Sequence, residues 1–333
     1  QSTSAIYEIT APWFQAQLST IKFTQSGDVI FVCCPDRPPQ IIKRIISTGG
    51  SSAAYAEDDS VWSCYEYVMK DGTYKEINIY SQESSATDKY SLYKAEPTTK
   101  KKVSGVEFNT TLNSIILANH GLQVGMKIRL DDDASSSGWG NITSDGTSVL
   151  TDSDYYVIVT TPTAFQVSTT DGGKPLEFEL KSGETTANAE VYLYRYVDLP
   201  SDTSAVTLTL YKDGSASNDV FTSDDVGRLI RINPLAKPLS RIGGIRWCWG
   251  VISAVGTNTI GVYLKTEMCN IRGGTPSGSN KEAGTPDFRL GAFCVREGYP
   301  SVVQIYQQRM VLAATAGQPS TVWLSETNSF YSF

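Results

Sequence analysis

A single histidine, His120, limits the chemistry open to this chain. A serine or cysteine nucleophile commonly takes its base from imidazole, and multi-histidine metal centres need several rings. His120 sits in the turn Asn119-His120-Gly121-Leu122, where its ring reads as a partner for a backbone carbonyl rather than as a catalytic base. The triplet Asp131-Asp132-Asp133 has the composition of a calcium loop. It lacks the alternation and the closing glutamate such a loop needs, so a solvated acidic loop is the favoured reading. Trp139 follows within Ser135-Ser136-Ser137-Gly138-Trp139-Gly140, an aromatic ring in a polar run. Two readings stand for it: contact with a neighbouring subunit or a host glycan, or a ring folded back over its own domain. Trp139, Asp131, Asp132 and Asp133 are the candidate contact residues.

Other patterns stop short of chemistry. Thr169-x-Asp171-x-Gly173 begins as the Asp box of sialidase-type propellers does, but Leu176 stands where its aromatic belongs, so the segment reads as a turn. Asp58-Asp59 and Asp224-Asp225 are sequence neighbours, whereas glycosidic acid and base carboxyls converge across a cleft. Gly243-Gly244 lacks the Lys-Ser/Thr of a phosphate loop. Cys33 and Cys34 are adjacent and point to opposite faces of a strand. With Cys64, Cys248, Cys269 and Cys294 they show no CxxC spacing and read as buried, reduced thiols. No catalytic residue, metal ligand or cofactor site is nominated, and the chain reads as non-enzymatic.

The 333 residues fit two or three domains. Hydrophobic residues at 40% and charged ones at 19% describe a chain that folds. Its 27 Gly, 18 Tyr and many Ser and Thr favour short strands and turns over long helices. A net charge of −7 argues against a grip on phosphates, and Lys100-Lys101-Lys102 reads as a solvated turn. An acidic wall can still let DNA slide past. No apolar run reaches the roughly 18 residues of a membrane span. Beginning at Gln1 and stopping at Phe333, the chain is expected to be part of a longer polypeptide, with its terminal hairpin left as an edge lacking a neighbour, either frayed or paired with another copy in a crystal.

Apolar alternation predicts strands on both sides of the Gly27-Asp28 turn, a break over Pro35 to Pro39, and a strand from Gln40 to Ile46. Val61 to Asn78 repeats the theme around Asp71-Gly72, and Ser81 to Thr99 reads as a loop or solvated strand. Strands follow at Leu112 to Leu117 and Gly125 to Leu130, then a polar loop from Asp131 to Ser148. A hairpin turns over Thr161-Pro162-Thr163, with plain strands at Glu190 to Asp198 and Val206 to Tyr211. Thr222 to Asp225 reads as one helical turn ended by Gly227, before the Trp-rich strand Arg246 to Val255. At the end, Val302 to Ala313 reads as a strand, Ala316-Gly317-Gln318-Pro319 as a turn, and Thr321 to Ser325 as a second strand.

Several of these segments resemble large bacteriophage tail proteins of the tail-tubular or nozzle type. The matching positions are Phe23, Gln25, Ser26, Asp28, Val29, Pro35, Asp36, Pro38, Pro39 and Arg44, then Trp62, Tyr67, Asp71, Gly72, Tyr74 and Asn78. Thr73 departs from the proline usual there. Phe221-Thr222 with Asp225 to Arg231, and the terminal Gln308-Arg309-Met310-Val311 and Thr321-Val322-Trp323-Leu324-Ser325, continue the series in order. Ala118-Asn119-His120-Gly121-Leu122, Tyr155 to Ile158 and Ala164 to Ser168 resemble the small β-barrel FCCH module of ubiquitin-activating enzymes, a likeness of fold that carries no adenylation chemistry. The resemblance implies an all-β fold: a discontinuous β-propeller-like body over 1–105 and 181–333, with a small inserted β-barrel domain over 106–180.

It also implies a structural ring subunit, a homo-oligomer of hexameric order, around the DNA exit channel of a virion tail assembled in the bacterial cytoplasm. Adaptor or tail tube proteins and tail fibres are the implied partners, with no sequence-specific nucleic-acid binding and no membrane insertion. The alternative is a host-surface or glycan-binding tail module, and a remoter one is a propeller-type glycan-degrading enzyme.

Overall fold

The computed structural model describes residues 8–46, 60–78, 89–132, 142–144, 147–148, 153–180, 191–236, 246–272, 275–277 and 283–333. They form an all-β protein with short 3-10 turns at Gln15–Thr20 and Ser223–Asp225. The chain divides into two compact units. One comprises Gln1–Lys75, Asp224–Leu229 and Gly291–Phe333, the other Glu76–Ser223 and Ile230–Leu290.

The first unit opens with an antiparallel meander of Lys22–Ser26, Val29–Cys34, Arg37–Ile46 and Ser60–Glu66, hydrogen-bonded in that order. The sequence reads Pro35 to Pro39 as a break, yet the third strand starts at Arg37 and carries Pro38 and Pro39. A bulge between Val32 and Cys34 opens the ladder there, and the fourth strand pairs only from Gln40 onward, so neither proline is asked for a missing N–H. Asp71-Gly72 turns no hairpin. Asp71 and Tyr74 instead form single bridges to Ser332 and Gly291.

Val302 to Ala313, read as one strand, is two. Val302–Tyr306 pairs with Arg309–Ala313 around Gln307-Gln308, whose φ angles are 47° and 61°. A two-residue hairpin turn of this hand needs both central residues left-handed, a demand usually met by Asn-Gly. Val322–Leu324 adds a third strand. The residues after it are tied back to the rest of the unit. The Lys70 N–H donates to the Tyr331 carbonyl at 2.8 Å and the Glu326 N–H to the Ser332 carbonyl at 2.7 Å. Phe330, Tyr331 and Phe333 pack on a core of Phe31, Cys33, Ile41, Tyr67, Met310 and Leu312. Phe31 meets Tyr67 and Phe330 edge-on, each at 5.7 Å between ring centres.

In the second unit one sheet curls into a barrel. Lys100–Asn109, Ser114–Ile116, Ala164–Ser168, Ser153–Thr160 and Lys127–Asp132 pair in that spatial order. Val191–Asp198 pairs with Lys100–Asn109 on one side and Lys127–Asp132 on the other, which brings the sheet round on itself. Alternation puts Ile128, Leu130, Tyr155, Val157, Phe165 and Leu193 inside, each 1% exposed or less. The sheet thus draws on strands that begin before residue 106 and lie beyond residue 180. Lys100-Lys101-Lys102 opens a strand rather than forming a turn. Within the stretch read as a polar loop, Ile142–Ser144 pairs with Thr147–Ser148 and with Glu179–Leu180.

A second sheet, which belongs to the same unit apart from Leu229, runs Ser215–Ala216, Val206–Lys212, Thr259–Leu264, Cys248–Val255, Leu229–Ile232 and Phe288–Leu290. Tyr90–Tyr93 pairs with Val206–Lys212. That segment falls in the stretch read as loop or solvated strand, but Leu92 is fully buried beside Leu208, Leu210 and Ile260.

Candidate functional site

The strand Lys127–Asp132 carries one nominated residue, Asp131, and shows where the polar chemistry of the barrel lies. With Ile128 and Leu130 inside, Lys127, Arg129 and Asp131 face out. On the neighbouring strand Tyr192, Tyr194 and Tyr196 share that face, since Tyr192 pairs with Asp131 and Tyr194 with Arg129. Asp154 and Tyr156 join from Ser153–Thr160, opposite Arg129 and Lys127. Lys100 and Lys102 join from the far side, opposite Tyr196 and Tyr194. The outer face is therefore a column of three tyrosines flanked on both sides by cations.

Those charges are tied to one another. Lys127 Nζ lies 3.1 Å from Asp154 Oδ2 and also bonds the Glu96 carboxylate. Asp154 Oδ1 accepts from the Tyr196 hydroxyl at 2.8 Å and from Arg129 Nη1 at 3.3 Å, and Tyr156 donates to Glu96 at 3.2 Å. Asp131 is drawn between Arg129 (3.6 Å) and Lys100 (3.9 Å). The Lys102 ammonium sits 3.2 Å from the centre of the Tyr192 ring. Partial burial alone would raise the Asp154 carboxyl, but its bonds to Tyr196, Lys127 and Arg129 outweigh that and hold it below the usual range. Burial likewise works against the Lys127 ammonium, and Glu96 and Asp154 more than reverse it, raising its pKa. Tyr196 and Tyr156 are raised first by burial and then by the carboxylates they bond.

The tyrosine column runs into a groove of about 540 Å³ lined by Gly105, Glu107, Ile116, Leu117, Ala118 and Tyr192, with Val106 at its floor. A register shift beside Leu193 makes this possible. It absorbs one extra residue of Lys100–Asn109, so Lys102 lies opposite Tyr194 while Gly105 lies opposite Tyr192. Gly105 has no side chain to fill the space next to the Tyr192 ring, and Ile116 across the groove is 38% exposed.

The other candidate positions, and the patterns set aside in the sequence, scatter. Asp132 ends its strand, while Asp133 and Trp139 lie outside the described residues, as do Asp58-Asp59 and Gly243-Gly244. His120 Nε2 meets the Thr161 carbonyl at 2.8 Å, the carbonyl partner expected for it, and Nδ1 accepts the Leu122 N–H at 3.0 Å. The two bonds select one neutral tautomer and use both ring nitrogens. Asp171, from the incomplete Asp box, holds Arg272 Nε at 2.8 and 3.0 Å. Arg272 in turn lies so close to Gly125 that a Cβ there would come within 2.6 Å of its Cδ. All six cysteines are unpaired; five are buried as the sequence reading has them, and Cys64 is half-buried.

Asp225, of the adjacent pair Asp224-Asp225, anchors an ion network in the first unit. Fully buried, it meets Arg228 Nη1 at 2.6 Å and Arg296 Nη2 at 3.1 Å. Arg228 Nε donates to the Gly291 carbonyl at 2.7 Å, and Glu297 bridges Arg228 (3.5 Å) and Lys75 (2.9 Å). Gly227, at φ +85°, ends the preceding 3-10 turn. The spacing Asp225-x-x-Arg228 thus serves packing.

The terminal sheet of the first unit has a second unusual surface. Its inner face packs Val303, Met310 and Leu312 into the core. Its outer face carries Val302, Tyr306, Val322 and Leu324, between 44% and 59% exposed, around half-buried Val311 and Ala313. Gln304 and Arg309 are the polar residues there, and Arg309 is engaged by the Ser325 carbonyl at 2.7 Å. Reading Val302 to Ala313 as one strand hides this face, because alternation carried straight through Gln307-Gln308 puts Val302 on the side of Met310 and Leu312.

No protein-family model matches the chain, and no curated protein matches it in sequence. Among the described residues no group of three or more His, Cys, Asp or Glu is placed to hold a metal ion. No helix in them is long and apolar enough to cross a membrane.

Proposed function

We propose that the chain is a structural, non-enzymatic subunit of a bacteriophage tail, part of a homo-oligomeric ring around the DNA exit channel. One observation carries the reading: the terminal sheet is apolar on both faces. A sheet finished for water alternates apolar-in with polar-out, whereas one covered on both sides reads apolar throughout. Val302, Tyr306, Val322 and Leu324 supply the surface by which a second copy would be held, and Val322–Leu324 is an edge strand with neither Lys nor Pro to discourage pairing.

The order of the family-like motifs supports the same conclusion, with the meander and terminal sheet as blades of a propeller-like body and the barrel as an FCCH-like insert. The net charge of −7 suits a channel wall that does not grip DNA. Adaptor or tube proteins and fibres are the partners this implies, in a virion tail assembled in the bacterial cytoplasm, with hexameric order.

Sedimentation and negative-stain imaging test it. Rings or defined oligomers are the expected result, lost on Val322→Lys with Leu324→Lys while the subunit stays folded. A chain that remains monomeric at high concentration, with the native sequence, would sink the reading.

A further inference from the structure

The groove and the tyrosine column of the second unit have no part in the assembly reading. We propose that together they bind a glycan carrying N-acetylated sugars. The groove volume of about 540 Å³ lies within the ~300–1,000 Å³ of small-molecule sites. One wall, Ile116, Leu117 and Ala118, is apolar, while Glu107 is exposed opposite Ile116 and offers a carboxylate. An acetamido group brings a methyl for that wall and an N–H donor for that carboxylate. Beyond the groove, Tyr192, Tyr194 and Tyr196 recur every second residue of one strand, about 6.7 Å apart. An aromatic ring takes the C–H face of a sugar, and the hydroxyl rim needs donors and acceptors alternately. Lys102 and Arg129 supply the first beside the column, and Asp131 and Asp154 supply the second.

Charge separates this ligand from the other polymers that use tyrosines. Glu96, Asp131 and Asp154 stand among Lys100, Lys102, Lys127 and Arg129, and most of those cations are already paired. A phosphate backbone would meet three carboxylates on a chain of net charge −7. A protein partner would favour a face whose centre is depleted in charge, and this one is crowded with it. A neutral polyhydroxyl chain suits both conditions. The Lys102 side chain over the Tyr192 ring, and the Lys127 ammonium 5.3 Å from the centre of the Tyr196 ring, are groups the ligand has to lift aside or bond.

Calorimetric titration of the full chain with a linear oligomer of β-1,4-linked N-acetylglucosamine tests the proposal, with the glucose oligomer of the same linkage and length alongside. Saturable binding of the first is expected, with the second weaker by about tenfold or more. Glu107→Gln and Tyr194→Ala should each weaken binding by roughly tenfold, with thermal unfolding unchanged. Glu107→Gln keeps the shape of an exposed side chain, so its result does not depend on whether the tyrosine variant folds. The proposal fails if neither oligomer binds at millimolar concentration, if both bind equally, or if both variants bind as the native chain does. Binding of single-stranded DNA that Tyr194→Ala abolishes would also overturn it. The oligomeric state is read separately, so failure here leaves the assembly reading untouched.

Discussion

The terminal sheet of the first unit and the barrel sheet of the second are both antiparallel, and both pack one face onto a buried core. Their outer faces differ in kind. The barrel turns out tyrosines and charges that satisfy one another, from Lys127 with Asp154 to Asp131 between Arg129 and Lys100. The terminal sheet turns out Val302, Tyr306, Val322 and Leu324. A networked polar face is stable in water and can meet a ligand and release it. An apolar face gains only by being covered. The contrast teaches that the same strand pairing serves two purposes, and the outward residue of each pair decides which.

The comparison breaks first at the ion pairs. Arg228→Ala in the first unit should cost about 3–5 kcal/mol, because it leaves the buried Asp225 carboxylate short of its closest partner. Arg129→Ala on the barrel face should cost only about 0–1 kcal/mol, since its partners keep water and other cations. Urea unfolding of both variants measures the gap, and equal costs would contradict it. Next come the two faces of the terminal sheet. Met310→Ala on the inner face should lose about 2–5 kcal/mol, whereas Val322→Lys with Leu324→Lys on the outer face should change subunit stability by about 1 kcal/mol or less while removing the proposed self-association.

A smaller effect follows from pH. The folded Asp154 carboxyl lies below its ordinary value, so its stabilisation is complete above about pH 4 and is lost as pH falls through the folded pKa. The raised Lys127 contributes in the opposite sense: its part is present below about pH 10 and lost as pH rises through the folded pKa. Asp154→Asn should therefore lower the urea midpoint at neutral pH by a margin that closes toward acid. A margin independent of pH would remove Asp154 from the network. Smallest of all is the thiol readout. Cys64 is the half-buried cysteine and should label first in the native protein. Burial pushes the thiols of Cys33 and Cys248 up, and Cys269 up to about 12, so these should wait for unfolding. Cys33 then reports on the first unit, and Cys248 and Cys269 on the second.

Regular alternation made most of the fold legible. Ile128 with Leu130, Tyr155 with Val157, and Phe165 with Val167 announce their inward faces, and the hairpin over Thr161-Pro162-Thr163 forms where its turn residues stand. The unreadable parts share physical causes. Gln307-Gln308 takes a left-handed turn that its residue types do not advertise, so tertiary pairing overrides local preference. Tyr90–Tyr93 hides in a polar stretch because only its pairing with Val206–Lys212 explains Leu92. In the candidate site, Asp131 could be named from composition. The tyrosine column could not, since Tyr192, Tyr194 and Tyr196 acquire flanking cations only through registers with strands far away in sequence. Asp171 with Arg272 is the same case, a pair no local pattern connects.

One further consequence concerns time. The strand Val191–Asp198 is the stave that closes the barrel, and it follows every other strand of that closed ring in the chain. During synthesis, the edges of Lys100–Asn109 and Lys127–Asp132 stay open until this last stave emerges. Contacts between such distant segments pay their loop entropy before they return anything, so closure is slow. The barrel is therefore open longest at the two edges that later carry its network of ion pairs.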